Sequence, residues 1–262
     1  MRKQVKQVLQ EKNDAHKDLS HPTIFHALID SDLPPEEKGV EQLTDEADTI
    51  IAAGQETLSL VLTFITYHLL SNPDVLLALK EELAKAIPDP DVVTPEATLS
   101  NLPYLTGVIK EGLRLGYGIS GRLHRVPLEP LLFSAPDHEW VIPPGTPVSM
   151  TSVLMHHNES IFPNSYEFQP ERWIENPGLD RYLVSFSKGS RSCIGRNLAY
   201  AEMYIWLAGV FRRYGSPDVR FETDEGALEL FETDNSDVDM WADRFIPVVK
   251  PGSKRVRFRV LK

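Results

Sequence analysis

Along residues 44–71 the apolar positions do not keep to one face of a helix. Ile50, Ile51, Leu58, Leu60, Val61, Leu62, Phe64 and Ile65 fall on several sides of a helical wheel, a pattern that predicts a helix wanting burial all round. Thr44 followed by Asp45 and Glu46 supplies its start by capping and dipole logic, and Asn72-Pro73 supplies its stop. Gln55, Glu56 and His68 interrupt the apolar run over 49–70, so it reads as a buried helix rather than a membrane span. Pro73 opens another helix over 73–86, with Val75, Leu76, Leu79 and Leu83 at helical spacing. Upstream, 1–19 reads as a polar surface helix, 22–30 as a short helix and 32–38 as a loop. Downstream, 87–98 is a Pro-rich loop and 101–115 a helix.

The texture changes near Gly116. Short β-prone runs at 122–126, 131–133, 140–142 and 147–151 alternate with Pro and Gly. Residues 163–192 carry little periodicity, 198–214 is helical again, and the tail from 217 returns to short strands such as 256–260. There is no internal repeat and no regular βαβ alternation. A helix-rich body with small sheets segregated in sequence predicts an α+β fold, mostly α.

Composition narrows the function classes. The 262 residues suffice for a real core, and 42% hydrophobic with 25% charged residues is ordinary for a globular chain. A formal charge of -11 argues against nucleic acid, which wants a basic footprint. The one cysteine, Cys193, rules out an intrachain disulfide and fits a reducing compartment. Met1-Arg2-Lys3 leads into a charged amphipathic stretch with no apolar signal region, so the expectation is an intracellular monomer without signal peptide or anchor. Two patterns mislead. Gly116-Tyr-Gly118-Ile-Ser-Gly121 matches GxGxxG, but a dinucleotide loop must follow a strand and open a helix, and here the order is inverted. His156 and His157 are neighbours, so on a helix they do not face one metal.

The chemistry concentrates in Phe186-Ser-Lys-Gly189-Ser-Arg191-Ser-Cys193-Ile-Gly195. Cys193 offers a soft, strongly donating thiolate, the kind of ligand that pushes electron density onto haem iron. Gly189 permits a tight turn and Gly195 a close backbone approach to a flat ring. A helix starting near Arg196 would aim its positive end at the sulfur. Phe186 would shield that sulfur from water, and Arg191 suits a propionate.

These residues match the haem-loop signature of the cytochrome P-450 family, and further resemblances follow in the family's order over most of the chain. Lys110-Glu111-Gly-Leu-Arg114 resembles ExxR, with Glu111 and Arg114 on one helix face. Phe168-Gln-Pro170-Glu-Arg172-Trp resembles the segment whose Arg172 closes on that pair. The resemblance makes Glu111, Arg114 and Arg172 a structural cluster. Ala53-Gly54-Gln-Glu56-Thr57 resembles the Ala-Gly-x-acidic-Thr motif of the long central helix. A glycine inside a helix costs ~1 kcal/mol against alanine, and a dioxygen groove at Ala53 and Gly54 gives a reason for it. Thr57 would then serve oxygen activation and Glu56 proton relay. Leu58 stands where the family usually has a second Thr. Arg122-Leu-His-Arg125-Val resembles the strand after ExxR, whose Arg125 would bind a propionate. Ile119, Ser120 and Gly121 are expected beside the substrate, with Ile50, Thr49, Trp241 and Phe245 as further pocket candidates.

The resemblance implies a haem-thiolate monooxygenase that inserts one atom of dioxygen into an apolar organic molecule. Its cofactor would be haem b on Cys193, and NADPH would supply electrons through a flavoprotein reductase. Lys188, Arg196, Arg212 and Arg213 read either as a basic docking patch for it or as plain solvated charges. The wording of 142–150 and 181–193 is similar to trichodiene-oxygenase-like members of fungal secondary metabolism. The expected parts are helices preceding the central one at 1–43, central helix to ExxR helix at 44–118, a β-rich segment at 119–152, meander, haem loop and following helix at 153–215, and a C-terminal β segment at 216–262. Because intact members place the central helix after their first half, the chain reads as a C-terminal part of that fold, lacking the usual endoplasmic-reticulum anchor. The competing reading is a non-catalytic remnant that binds haem poorly and acts only through other proteins.

Overall fold

A computed structural model describes residues 1–10 and 23–262. The chain divides into two compact units, 1–56 and 57–262. In the first, α1 (Arg2–Leu9) and α2 (Ile24–Ile29) precede a 3-10 turn at Pro35–Lys38 and the beginning of α3 (Val40–Ser71). Among its described residues Val5, Leu43 and Ala47 are the buried apolar ones. The Thr23 side chain caps α2 by accepting the His26 N–H, and Lys38 Nζ donates to the Ile29 carbonyl at 2.8 Å. The expected helix over 11–19, and Pro22, lie outside the described residues. Helix α3 begins four residues before the expected start. Thr44 is not its cap: the hydroxyl donates back to the Val40 carbonyl at 2.6 Å, inside the helix.

The second unit is built on four helices whose apolar residues share one core, with the third of them, Pro103–Gly116, buried on all sides. They are the C-terminal half of α3 (Val61, Ile65, Leu69, Leu70), α4 (Pro73–Ala86; Leu76, Leu79, Leu83), α6 (Pro103–Gly116; Leu105, Val108, Ile109, Leu113) and α9 (Arg196–Arg213; Met203, Leu207, Phe211). Between them come the short α5 (Glu96–Leu99), α7 (Ser152–His156) and α8 (Glu171–Glu175). By length and composition α3 could cross a membrane, but its C-terminal half is part of this core. Burial all round is not what α3 shows: Ile50 and Ile51 are exposed.

Four small sheets complete the unit. β1 (Leu123–Arg125) pairs antiparallel with β4 (Val148–Met150), and β2 (Leu131–Ala135) with β3 (His138–Ile142). β5 (Tyr214–Gly215) lies parallel to β6 (Gly226–Leu230), which pairs antiparallel with β9 (Phe258–Leu261). β7 (Ala242–Arg244) and β8 (Ile246–Val248) form a hairpin turning on one residue, Phe245. The small sheets follow a largely helical first half, so the fold is α+β, as expected.

Helix α6 approaches its neighbours so closely that two positions admit no side chain. A Cβ at Gly112 would overlap the Ile65 side chain on α3, and one at Gly107 would sit 2.7 Å from the Pro170 carbonyl oxygen. Gly112→Ala is therefore expected to destabilise the fold by about 1–3 kcal/mol, the cost of overpacking, despite alanine's better helix propensity. Urea unfolding measures it, and Ile65→Ala in the same chain should recover part of the loss.

Candidate haem-loop site

The floor of the site is one buried carboxylate. Glu111 and Arg114 are both wholly buried on α6, and Arg172 on α8 is 8% exposed. Arg114 donates to both Glu111 oxygens, Nε to Oε2 at 2.9 Å and Nη2 to Oε1 at 2.8 Å. Arg172 Nε, the Gln169 N–H and the Trp173 indole N–H complete the carboxylate's set at 3.1, 3.0 and 2.9 Å. The remaining guanidinium donors go to carbonyls. Arg114 reaches His156, Ser165 and Glu167, and Arg172 reaches Pro163 at 2.9 Å. Two cations against one anion would be costly in a dry interior, and these carbonyl dipoles offset the excess charge. His68 packs beside the cluster, stacked on Phe168 with ring centroids 4.9 Å apart. Burial pushes its pKa down to about 4, and its Nε2 has no hydrogen-bond partner.

The Cys loop stands on this floor. Ser187 and Gly189 both take positive φ, 57° and 74°, so the glycine serves the turn its sequence suggests. The Cys193 N–H donates to the Phe186 carbonyl at 2.9 Å, closing the loop, and Gly195 is the N-cap of α9. A Cβ on Gly195 would lie 3.9 Å from Cys193 Sγ, so the sulfur sits at the positive end of that helix. Cys193 is exposed, and the Phe186 ring packs against Tyr200, centroids 5.4 Å apart. Arg125, on β1, comes to the same loop by donating to Ser187 Oγ at 3.3 Å. Arg191 is exposed two residues before the sulfur. Neither arginine pairs with a carboxylate among the described residues.

A single soft sulfur at a helix N-terminus, with one such cation on its loop and a second reaching that loop from β1, fits a flat dianionic ring whose metal takes a thiolate. A family model for cytochrome P-450 matches residues 1–226. The chain belongs to the cytochrome P-450 family. It is 47% identical to a cytochrome P-450 monooxygenase of Cochliobolus heterostrophus over 98% of this chain and 50% of that protein. A second such monooxygenase, from Talaromyces wortmannii, is 48% identical over 98% and 53%. A tryptophan 6-hydroxylase of Fusarium equiseti is 41% identical over 98% and 48%. The chain spans about half the length of the curated relatives it matches.

The other residues expected from the P-450 pattern fall in three places. Ala53, Gly54 and Glu56 are exposed on α3, and Thr57 is half-buried. Ile50 is exposed, and the Thr49 hydroxyl donates to the Asp45 carbonyl at 2.8 Å. The structure joins Ser120 and Gly121 to Phe245: both N–H groups donate to its carbonyl, at 3.0 and 3.1 Å. Ser120 is wholly buried, and its hydroxyl donates to Asp243 Oδ1, which also accepts the Phe245 N–H. The Ile119 carbonyl accepts from Ser152, while Trp241 and the Phe245 ring are exposed. A cleft of about 240 Å³ opens nearby among Leu60 and Phe64 of α3, Leu115 and Tyr117 at the end of α6, and Met240 and Val249 of the tail. Its lining includes none of the pocket candidates.

Of the four candidate docking cations, two are tied into the core. Arg212 is buried and donates to the Ile87 and Pro88 carbonyls at 2.6 and 2.9 Å. Arg213 is neutralised by Asp91 and Glu225. Both close the core between α9 and the 87–91 loop, which leaves Lys188 and Arg196 as the exposed pair. Sequence reasoning missed Asp243 and the indole of Trp173. Only the latter had a signal, its place directly after Arg172.

Glu111→Gln removes the anion between two buried guanidiniums and is expected to cost about 3–5 kcal/mol, measured by urea unfolding. His68 gives a pH dependence. Its folded pKa lies below the unfolded value of about 6.5, so below that pH the unfolded chain takes up a proton that the folded chain refuses until about pH 4. Stability is therefore present above about pH 6.5 and lost as the pH falls toward 4. His68→Phe should flatten the fall in urea midpoint between pH 6.5 and 4.5.

Proposed function

We propose that this chain carries the haem-thiolate centre of a P-450 monooxygenase. What supports the reading is the Cys193 sulfur beside the α9 N-cap, on a loop that also holds Arg191 and meets Arg125. Cys193 is the iron ligand, its sulfur placed at the positive end of α9. Arg125 and Arg191 hold the propionates. Haem b, when bound, supplies oxygen activation. Around it the chain's own groups handle protons and placement. Thr57 would hold a proton on the helix face beside Gly54, and Glu56, exposed on the same helix, would exchange it with solvent. Gly54 leaves open space on the helix surface, where a Cβ would meet nothing within 4 Å, and Ala53 precedes it. The substrate is an apolar small molecule of the kind processed in fungal secondary metabolism, with Phe245, Trp241 and Ile119 among its contacts. Electrons come from NADPH through a flavoprotein reductase, and Lys188 and Arg196 are the cations offered to it.

Glu111, Arg114 and Arg172 touch none of these partners. Their part is to keep α6, α8 and the 163–169 segment in one arrangement under the loop.

The deciding experiment reconstitutes the chain with haem and records the reduced carbon monoxide complex. A red-shifted, thiolate-type Soret band is expected, and Cys193→Ala should abolish it while leaving the helical circular dichroism unchanged. A band that survives the substitution rules out Cys193 as ligand. A folded chain that takes up no haem favours the non-catalytic remnant.

A further inference from the structure

We infer that His156 is a positioning residue for the Cys193 loop, a strut that fixes the loop's first turn to the buried Glu111–Arg114–Arg172 cluster. The assignment of Cys193 as ligand is the reading on which its purpose rests.

The argument begins with proton positions. His156 is wholly buried at the end of α7. Its Nδ1 lies 2.7 Å from the Arg114 carbonyl oxygen. A carbonyl only accepts, so Nδ1 carries the hydrogen. Nε2 lies 3.1 Å from the Val184 backbone nitrogen, which only donates, so Nε2 is bare. One neutral tautomer satisfies both ends. Burial agrees with that state, holding the imidazole pKa down at about 3. The backbone doubles the link, because Arg114 Nη1 donates to the His156 carbonyl at 2.9 Å.

From Val184 the path to the sulfur is short. The Val184 carbonyl accepts the Ser187 N–H at 2.8 Å, making the turn at which Ser187 takes positive φ. Phe186, inside that turn, accepts the Cys193 N–H at 2.9 Å. A second tie runs alongside: Ser185 Oγ donates to the Leu113 carbonyl at 2.7 Å. The loop's first turn is thus anchored to the last turn of α6 by His156 and Ser185. The imidazole is wholly buried and Val184 partly so, and loss of the strut leaves the Val184 N–H without this partner.

The neighbouring residue provides the control. His157 sits on the same helix end but faces elsewhere, bonded to Tyr117 Oη at 2.6 Å and Ser165 Oγ at 3.2 Å, and stacked on Tyr166. It makes no hydrogen bond to residues 184–193.

The test is amide hydrogen exchange on the full chain without haem, comparing His156→Leu, His156→Gln, His156→Asn and His157→Ala. His156→Leu should speed exchange at Val184, Ser187 and Cys193 roughly tenfold, the scale of one lost hydrogen bond, while α6 stays protected. Glutamine can present a carbonyl where Nε2 lies, and asparagine is too short to do so. Gln should therefore retain more protection at 184–193 than Asn, a comparison that stands even if the Leu variant fails to fold. His157→Ala should leave 184–193 as in the parent. With haem added, His156→Leu should move the reduced carbon monoxide band away from the thiolate position, and His156→Gln should restore part of it. Unchanged exchange at 184–193 in His156→Leu, equal protection in Gln and Asn, or equal loosening by His157→Ala would each overturn the inference. Loop loosening in a chain that takes up no haem would uphold the strut and count against the cofactor reading alone.

Discussion

The carboxylate of Glu111 is the constraint on which the second unit turns. It lies in the dry interior, where an ion without partners is costly, so its surroundings are nearly dictated. Two guanidiniums, an indole N–H and a backbone N–H must all arrive at two oxygen atoms. Their arrival fixes the rest: α8 against α6, the 163–169 segment over Arg114, and Trp173 into its small cluster with Phe162 and Leu179. Gly107 and Gly112 serve the same end by letting α6 close on Pro170 and Ile65, so that side chains of fixed length can reach.

Charge buried for structure recurs across the unit and explains why basic residues are a poor guide to its surface. Lys80 is almost wholly buried, donating to Asp224 at 2.8 Å and to the Phe211 carbonyl at 3.0 Å. Arg212, at the end of α9, is buried as well and holds the 87–88 carbonyls. Each cation ends a helix or clamps a loop whose carbonyls would otherwise lie buried and unpaired. Arg125 and Arg191 near Cys193 are by contrast exposed, and neither forms an ion pair among the described residues.

Much of this was legible in the chain itself. Helix α4 matches its predicted span because proline and helical spacing mark its ends and face. The Glu111–Arg114–Arg172 cluster was legible because its motifs are short and its residue types are chemically specific. Helix α7 was not, since five residues give no period to read. The early start of α3 was missed because Thr44, a favoured cap, instead bonds backwards within the helix. Asp243 and Ser120 are 123 residues apart, and no local pattern announces such a pair. The exposure of Ile50 and Ile51 was missed because an apolar wheel says what a helix prefers and not what it meets.

The hairpin of β7 and β8 has a consequence for how such proteins diversify. Its tip at Phe245 takes φ 75°, and it is held by backbone: its carbonyl by Ser120 and Gly121, its N–H by Asp243. The phenyl ring, 60% exposed, holds none of this in place. Scaffold and displayed group are therefore decoupled at position 245. Evolution can exchange the displayed group one mutation at a time, glycine at no backbone cost and asparagine at little, while the frame that carries it stays put.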